Sequence, residues 1–228
     1  MKILLIAATP EEILPTIEWL RETAIESKRN ILAFPACTVE LLLTGMGPMT
    51  TAFALGQSLQ PPLPQLTIQA GLAGALDRSL PLGTVVQVIS ERLLDQGAED
   101  IDGKLLPPPA LGFPFGAPFD PDGVLHVPVS GPPLPFPSVA AGTATKASGN
   151  QESIERTRQQ FPDVQIETME GAAFFFAIRS LGIPGLQLRA ISNYVERRNR
   201  AAWQIGPAII NLNEALRKVL SPFVLATA

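Results

Sequence analysis

Three short segments of the chain place two acids and an amide where strands are predicted to give way to helices or turns. Glu12 closes Thr9-Pro10-Glu11-Glu12, directly after the apolar run Ile3–Ala8. A carboxylate at a strand-to-helix turn beside a crevice has the chemistry of a general base acting on a water. The same four residues satisfy the S/T-x-x-E capping pattern, in which Glu12 reaches back to the Thr9 amide. Glu170 ends Glu167-Thr168-Met169-Glu170, just before the apolar stretch Gly171–Leu181. There it either accepts hydrogen bonds from two ligand hydroxyls or simply favours the positive end of a helix. Asn193 ends Arg189-Ala190-Ile191-Ser192-Asn193. Its amide donates and accepts at once, which suits the N7/O6 edge of a purine, and asparagine is equally a routine turn residue.

Other chemistries lack their residues. A single cysteine (Cys37) and a single histidine (His126) rule out an intrachain disulfide and leave a structural zinc site without its usual ligands. His126 has no G-x-S-x-G nucleophile motif nearby. Gly71-Leu72-Ala73-Gly74 fits neither the dinucleotide fingerprint nor the Walker pattern, and reads as a close-approach loop. No metal and no organic cofactor are expected. A net charge of −4, with Arg197-Arg198-Asn199-Arg200 as the main basic cluster, offers no footprint for nucleic acid. The apolar runs fall short of the roughly 20 residues that a membrane span needs. Ile3–Ala8 runs into Thr9-Pro10 instead of a cleavage site, so it reads as a buried strand of a soluble, cytoplasmic protein with no membrane partner.

The elements that must carry these residues alternate between strand and helix. Strands are predicted over Lys2–Ala8, Ile31–Phe34, Val39–Thr44, Leu66–Ala70, Gly83–Ser90, Val164–Glu167 and Gly185–Ser192. Helices are predicted after Thr9-Pro10, with Ile13, Ile17, Leu20 and Ala24 at helical spacing, and over Met49–Leu59, Gln151–Phe161, Gly171–Leu181 and Ala201–Leu220. Residues 107–137 hold 11 of the 23 prolines, so no long helix crosses them, and they read as a surface excursion or a lid. Glycines gather where strands end, which suits a ligand crevice beyond the strand ends. The predicted fold is α/β: one domain over residues 1–228, with a mixed central sheet flanked by helices.

Taken in order, these segments resemble the nucleosidase branch of the purine nucleoside phosphorylase superfamily, a branch that includes methylthioadenosine/S-adenosylhomocysteine nucleosidases and futalosine hydrolases. Ile3–Glu12 is similar to the family's first strand and the acidic turn whose last glutamate activates water, a role that falls to Glu12. The phosphate-binding Gly-Asp-Pro-x-Arg segment of the phosphorylases is absent, which favours hydrolysis. Ala70-Gly71-Leu72-Ala73-Gly74 resembles the Thr-Gly-Ser-Ala-Gly loop, whose backbone at Ala73 and Gly74 approaches the ribose and the attacking oxygen. Leu72 departs from the usual serine there. Thr168-Met169-Glu170 resembles Glu-Met-Glu, which implies that Met169 packs on the sugar and Glu170 binds its 2′- and 3′-hydroxyls. Thr168 inherits nothing.

Arg189–Asn193 resembles Arg-Ala-Ile-Ser-Asp, in which the aspartate protonates purine N7. Asn193 cannot be that acid, but beside Ser192 it can hydrogen-bond N7 or O6, which turns the expectation toward a 6-oxopurine leaving as hypoxanthine. Ser192-Asn193-Tyr194-Val195, followed by Arg197-Arg198-Asn199 and Trp203, is similar to the futalosine hydrolase family. That resemblance implies an aromatic carboxylate beyond the sugar 5′ carbon. Trp203 could wall it, with a cation from Arg198, Arg197, Arg200 or Lys146; Trp203 as a core anchor and the arginines as a solvated turn are the alternatives. Thr143, Ala144 and Thr145 lie near the place of the purine-pocket loop. Three other readings stay open: a methylthioadenosine/S-adenosylhomocysteine or aminofutalosine nucleosidase, a purine or uridine phosphorylase, and a nucleoside-binding protein without turnover. The resemblance also implies a homo-oligomer, a dimer, taking a small nucleoside.

Overall fold

The computed structural model describes residues 1–128 and 134–226. In chain order the elements are β1 (Lys2–Ala7), α1 (Pro10–Thr23), β2 (Glu26–Lys28), β3 (Ile31–Ala33), β4 (Thr38–Leu43), α2 (Pro48–Ser58), β5 (Leu66–Ala75) and β6 (Val85–Leu93). There follow β7 (Ala98–Glu99), β8 (Leu105–Leu106), β9 (Leu125–His126), β10 (Ser138–Thr143), α3 (Gln151–Gln160), β11 (Ile166–Thr168), α4 (Gly171–Leu181), β12 (Gly185–Tyr194) and α5 (Ile205–Val224). The main sheet runs β11-β10-β6-β12-β5-β1-β4-β3-β2, and β11 also pairs antiparallel with β5. That second pairing curls one half of the sheet into a closed ring of β5, β12, β6, β10 and β11. β1 pairs parallel with both β4 and β5, whereas β12 pairs parallel with β5 and antiparallel with β6. The α/β fold with a mixed sheet under helices is therefore the one predicted.

β1 shows why both faces are covered. Its alternate residues Ile3, Leu5 and Ala7 pack with α1 and α5 residues such as Ile13, Ile17, Leu212 and Leu216. Leu4 and Ile6 face the other way, into the cluster that holds Leu55 of α2 and Phe174, Phe175 and Ile178 of α4. The strand period of two thus sends its apolar side chains into two cores, and a continuous hydrophobic run is the result.

Three differences from the predicted elements bear on the site. β5 runs on to Ala75, so Gly71–Gly74 lie inside a strand and not in a loop. β12 reaches Tyr194, which makes Asn193 a strand residue. α5 starts at Ile205, because Arg200–Ala202 form a separate 3-10 turn. The proline-rich stretch is held down in its described part: β9 pairs with β6, Phe119 packs on Phe176 at 5.7 Å, and Arg179 of α4 donates to the carbonyls of Pro118 and His126. Residues 129–133 of that stretch lie outside the described residues. Among the described residues no helix is long and apolar enough to cross a membrane.

α5 is tied to α1 by the side chain of Asn213. Thr16 N and Oγ1 donate to Asn213 Oδ1 at 3.0 and 2.6 Å, and Asn213 Nδ2 donates to the Glu12 carbonyl at 2.9 Å. The amide of Asn213, on α5, is inserted between a carbonyl and the amide four residues on, beside Pro15, which lies inside α1 and has no N–H to give its ladder.

Candidate active site

Glu12 serves two partners with its two oxygens. Thr9 N donates to Oε2 at 3.1 Å, which is the capping bond, while Leu72 N, on β5, donates to Oε1 at 3.0 Å. Cap and candidate base are therefore one carboxylate. Burial pushes its pKa above the ordinary carboxylate range; nearby Arg189 and the two amide bonds oppose the rise, and Glu170 adds slightly to it.

Glu170 is the residue before the first turn of α4. Its Oε1 accepts from Gly47 N at 3.1 Å, and its Oε2 pairs with Arg189 Nη1 at 3.2 Å. Gly47 adopts φ +96°, a backbone that glycine takes without penalty, and this aims its amide at the carboxylate. Arg189, on β12, is only 1% exposed, and it also donates to the Leu72 carbonyl and to Gln69 Oε1, both at 3.3 Å. One buried guanidinium thus stands between the two carboxylates singled out in the sequence. The sequence named it only as the first residue of the Arg189–Asn193 motif and assigned it no role.

Gly71 makes this meeting possible. It pairs with Arg189 across β5 and β12, and a Cβ at this position would stand 2.6 Å from Arg189 Nη1 and 2.8 Å from Glu12 Oε1. Gly71→Ala is expected to destabilise the fold by about 1–3 kcal/mol as an overpacked core position. Because both neighbours are pushed off their bonds, turnover should fall by at least about tenfold as well, as misplaced catalytic groups do. Thermal melting and a steady-state assay check the two effects; wild-type turnover in the variant would show that the contact is not critical.

A bulge sets the third group. The β12–β5 register runs Ile191 to Ala73 and then Asn193 to Gly74, so Ser192 is the extra residue. Ser192 Oγ donates its one proton to Asn193 Oδ1 at 2.9 Å, with the Ala73 carbonyl at 3.3 Å as the alternative acceptor, while Asn193 Nδ2 donates to the Tyr194 carbonyl at 3.0 Å. Gly74 leaves room for this amide: a Cβ there would lie 3.2 Å from Asn193 Nδ2. Ala73 is buried, Gly74 and Met169 are half-buried, and Met169 immediately precedes Glu170.

Trp203 is half-buried yet belongs to none of the three apolar clusters, so it is not a core anchor. The Arg198 and Arg200 guanidinium carbons lie 5.6 and 5.8 Å from its ring centre, within cation–π range. Gln204 N donates to the Ser192 carbonyl at 2.8 Å and Arg198 N to the Gly149 carbonyl at 3.3 Å, which ties this cationic, aromatic segment to the Asn193 bulge. Lys146 lies on a cavity that it lines together with Asp95, Gly149, Asn150 and Arg156.

A family model described as "Phosphorylase superfamily" matches residues 2–224. Among curated proteins, the futalosine hydrolase of Streptomyces coelicolor is 33% identical over 195 residues, covering 79% of this chain and 77% of that one. The futalosine hydrolase of Thermus thermophilus is 32% identical over 191 residues, covering 79% and 80%. Among solved structures, a 5′-methylthioadenosine/S-adenosylhomocysteine nucleosidase of Colwellia psychrerythraea, in complex with adenine, superposes with a TM-score of 0.77. That match has 18% identity and covers 98% of this chain and 96% of that one, so it speaks for the fold.

Proposed function

This chain belongs to the phosphorylase superfamily, and on that footing we propose that it is an N-glycosidase that hydrolyses futalosine to hypoxanthine and dehypoxanthinyl futalosine, a step of alternative menaquinone biosynthesis. The observation that carries hydrolysis is the setting of Glu12. It is a buried carboxylate, raised in pKa, held against β5 by Leu72 N and close to Arg189 and Glu170. Arg189, the cation at this point, is already engaged by Glu170, which leaves it poorly placed to receive a phosphate dianion. The substrate follows from the likeness to two futalosine hydrolases and from an amide at residue 193.

In this mechanism Glu170 exchanges its Gly47 and Arg189 bonds in part for the ribose 2′- and 3′-hydroxyls, and Met169 packs on the sugar. The backbone at Ala73 and Gly74 lets sugar and water approach closely. Water attacks C1′ as the bond from C1′ to the purine nitrogen breaks, and its proton passes to Glu12. The bond pair leaves with the base, and the developing charge on N7 and O6 is met by Asn193, oriented by Ser192; the purine anion then takes up a proton from solvent to become hypoxanthine, and Glu12 returns its proton to solvent. Trp203 and Arg198 receive the aromatic carboxylate beyond the 5′ carbon. No cofactor enters these steps.

The working unit is proposed to be a cytoplasmic homodimer of one nucleosidase-like domain. An apolar cleft of about 700 Å³ between α2 and α4, bordered by Pro48 and Met49, adjoins Gly47 and leaves Met49 81% exposed. It supports a partner against that face.

The test is to incubate the protein with futalosine in phosphate-free buffer and identify the released base by chromatography. Hypoxanthine is the expected product. Faster release of adenine from methylthioadenosine or aminofutalosine would overturn the substrate, and strict dependence on phosphate would overturn hydrolysis. No release from any of them would favour a binding protein.

A further inference from the structure

A second buried carboxyl lies behind the site and takes no part in the steps above. Glu91, on β6, is 0% exposed. Its Oε2 is 2.9 Å from Thr143 Oγ1 (β10), its Oε1 is 3.0 Å from Thr168 Oγ1 (β11), and the two threonine oxygens are 2.9 Å apart. These three contacts close a ring of three groups, one carboxyl and two hydroxyls, each at hydrogen-bonding distance from the next.

Counting protons decides the state of the acid. Each contact needs one hydrogen, and two hydroxyls supply two. If Glu91 were ionised, both threonines would donate to it and the 2.9 Å contact between them would set lone pair against lone pair. If Glu91 carries the third proton, every contact has one: Glu91 donates to Thr168, Thr168 to Thr143, and Thr143 to the other Glu91 oxygen. Thr143 Oγ1 also accepts from Ala172 N at 2.8 Å, in the first turn of α4, so its capacity is then full.

We infer that Glu91 is a positioning residue that stays protonated during turnover, and that this neutral ring fixes the first turn of α4 and so Glu170, which precedes it. The inference rests on the proposed nucleosidase reading for its catalytic consequence, though not for the protonation itself.

The surroundings agree. Gly171 leaves the carboxyl its place at the foot of α4, since a Cβ there would meet Glu91 Oε1 at 1.7 Å. From β9, Leu125 stands opposite. From β12, Gln187 hydrogen-bonds to it and the charge of Arg189 favours its ionised form. Burial outweighs all of these and pushes the carboxyl up to about 7. Gln187 Nε2 donates to Gln69 Oε1 at 2.7 Å, and Gln69 Oε1 also accepts from Arg189 Nη2. An ionised Glu91 would therefore pull on the guanidinium that Glu170 needs, and would set the Thr168 oxygen against Thr143 Oγ1, the atom that holds Ala172 N.

Two measurements test this. Carbon-13 labelled glutamate, followed by NMR or infrared in the free protein, should show one carboxyl that is protonated at pH 6 and titrates close to neutrality, and that disappears in Glu91→Gln. A Glu91 already ionised at pH 6 overturns the inference. With the nucleoside that the wild type cleaves, kcat/KM should fall by about tenfold between pH 6 and pH 8, the consequence of a required acid with a pKa near 7. Glu91→Gln, fixed in the neutral state, should stay within about twofold over the same range. The same alkaline fall in Glu91→Gln also overturns it. Should the amide not be tolerated, Glu91→Met, neutral and of similar length, replaces it in both measurements. If no nucleoside is cleaved, the functional reading fails while the titration still decides this one.

Discussion

Glu12→Gln is expected to lower kcat by about a hundredfold to ten-thousandfold, the range over which a positioned general base acts, with KM changed by only a few fold. Glutamine keeps the length of the side chain but cannot take a proton from water at any working pH. It also cannot accept from both Thr9 N and Leu72 N, the two amides that Glu12 holds. One of these is left facing an NH2 group, at a cost of about 1–3 kcal/mol, so a melting curve must accompany the kinetics. A pH profile separates the two effects. Glu12 has to be ionised to act, and its pKa lies above the ordinary carboxylate range. Wild-type activity should therefore fall as pH drops through that raised value, while the residual activity of Glu12→Gln should lack this acid limb. Undiminished cleavage by the variant would remove Glu12 from the base role.

Arg189→Met carries the largest expected loss of stability. It removes the guanidinium while leaving Glu170 buried and Glu12 and Glu91 near it, and breaking one partner out of a buried pair typically costs about 3–5 kcal/mol. Arg189→Lys should not restore function, because a point charge cannot bond Glu170, the Leu72 carbonyl and Gln69 together as the planar fork does. The sign of the pH dependence follows from Glu12, whose burial-raised pKa Arg189 holds down. Without that opposing charge the folded-state pKa of Glu12 climbs further, so the stability of the variant is better kept at low pH and is lost as pH rises. Denaturant unfolding at pH 5 and pH 8 should show a gap to wild type that widens with pH. A gap under about 1 kcal/mol, the worth of a surface ion pair, and the same at both values, would mean that the pair contributes little.

Much of this architecture was legible in the chain. The run Lys2–Ala8 and the capping pattern at Thr9 located β1, α1 and Glu12, because strand period, turn chemistry and capping are local. Gly71–Gly74 misled because glycine usually weakens strands. In β5 these glycines make way for Arg189, Glu12 and Asn193, and the reason lies on elements more than 50 residues away in sequence. Arg189 was hidden for the same cause: nothing local says that a cation in an apolar strand meets Gln69, Leu72 and Glu170. The bulge at Ser192, which lifts Asn193 out of simple register, depends on pairing with β5. The start of α5 moved because Arg200–Ala202 turn separately, before Pro207 enters the first helical turn.

The amide of Asn213 in the α1 ladder ties Glu12 to a residue 201 positions later in the chain. During synthesis, β1 and α1 emerge well before α5, and the turn that carries Glu12 can form its cap locally. The backbone carbonyl of Glu12 and the amide of Thr16 must nevertheless wait for a segment made much later. So distant a contact is slow to form, and it closes only when α5 docks. A nascent chain stalled before Asn213 would hold both glutamates and every strand of the sheet, and would still lack the clasp that sets the first of them.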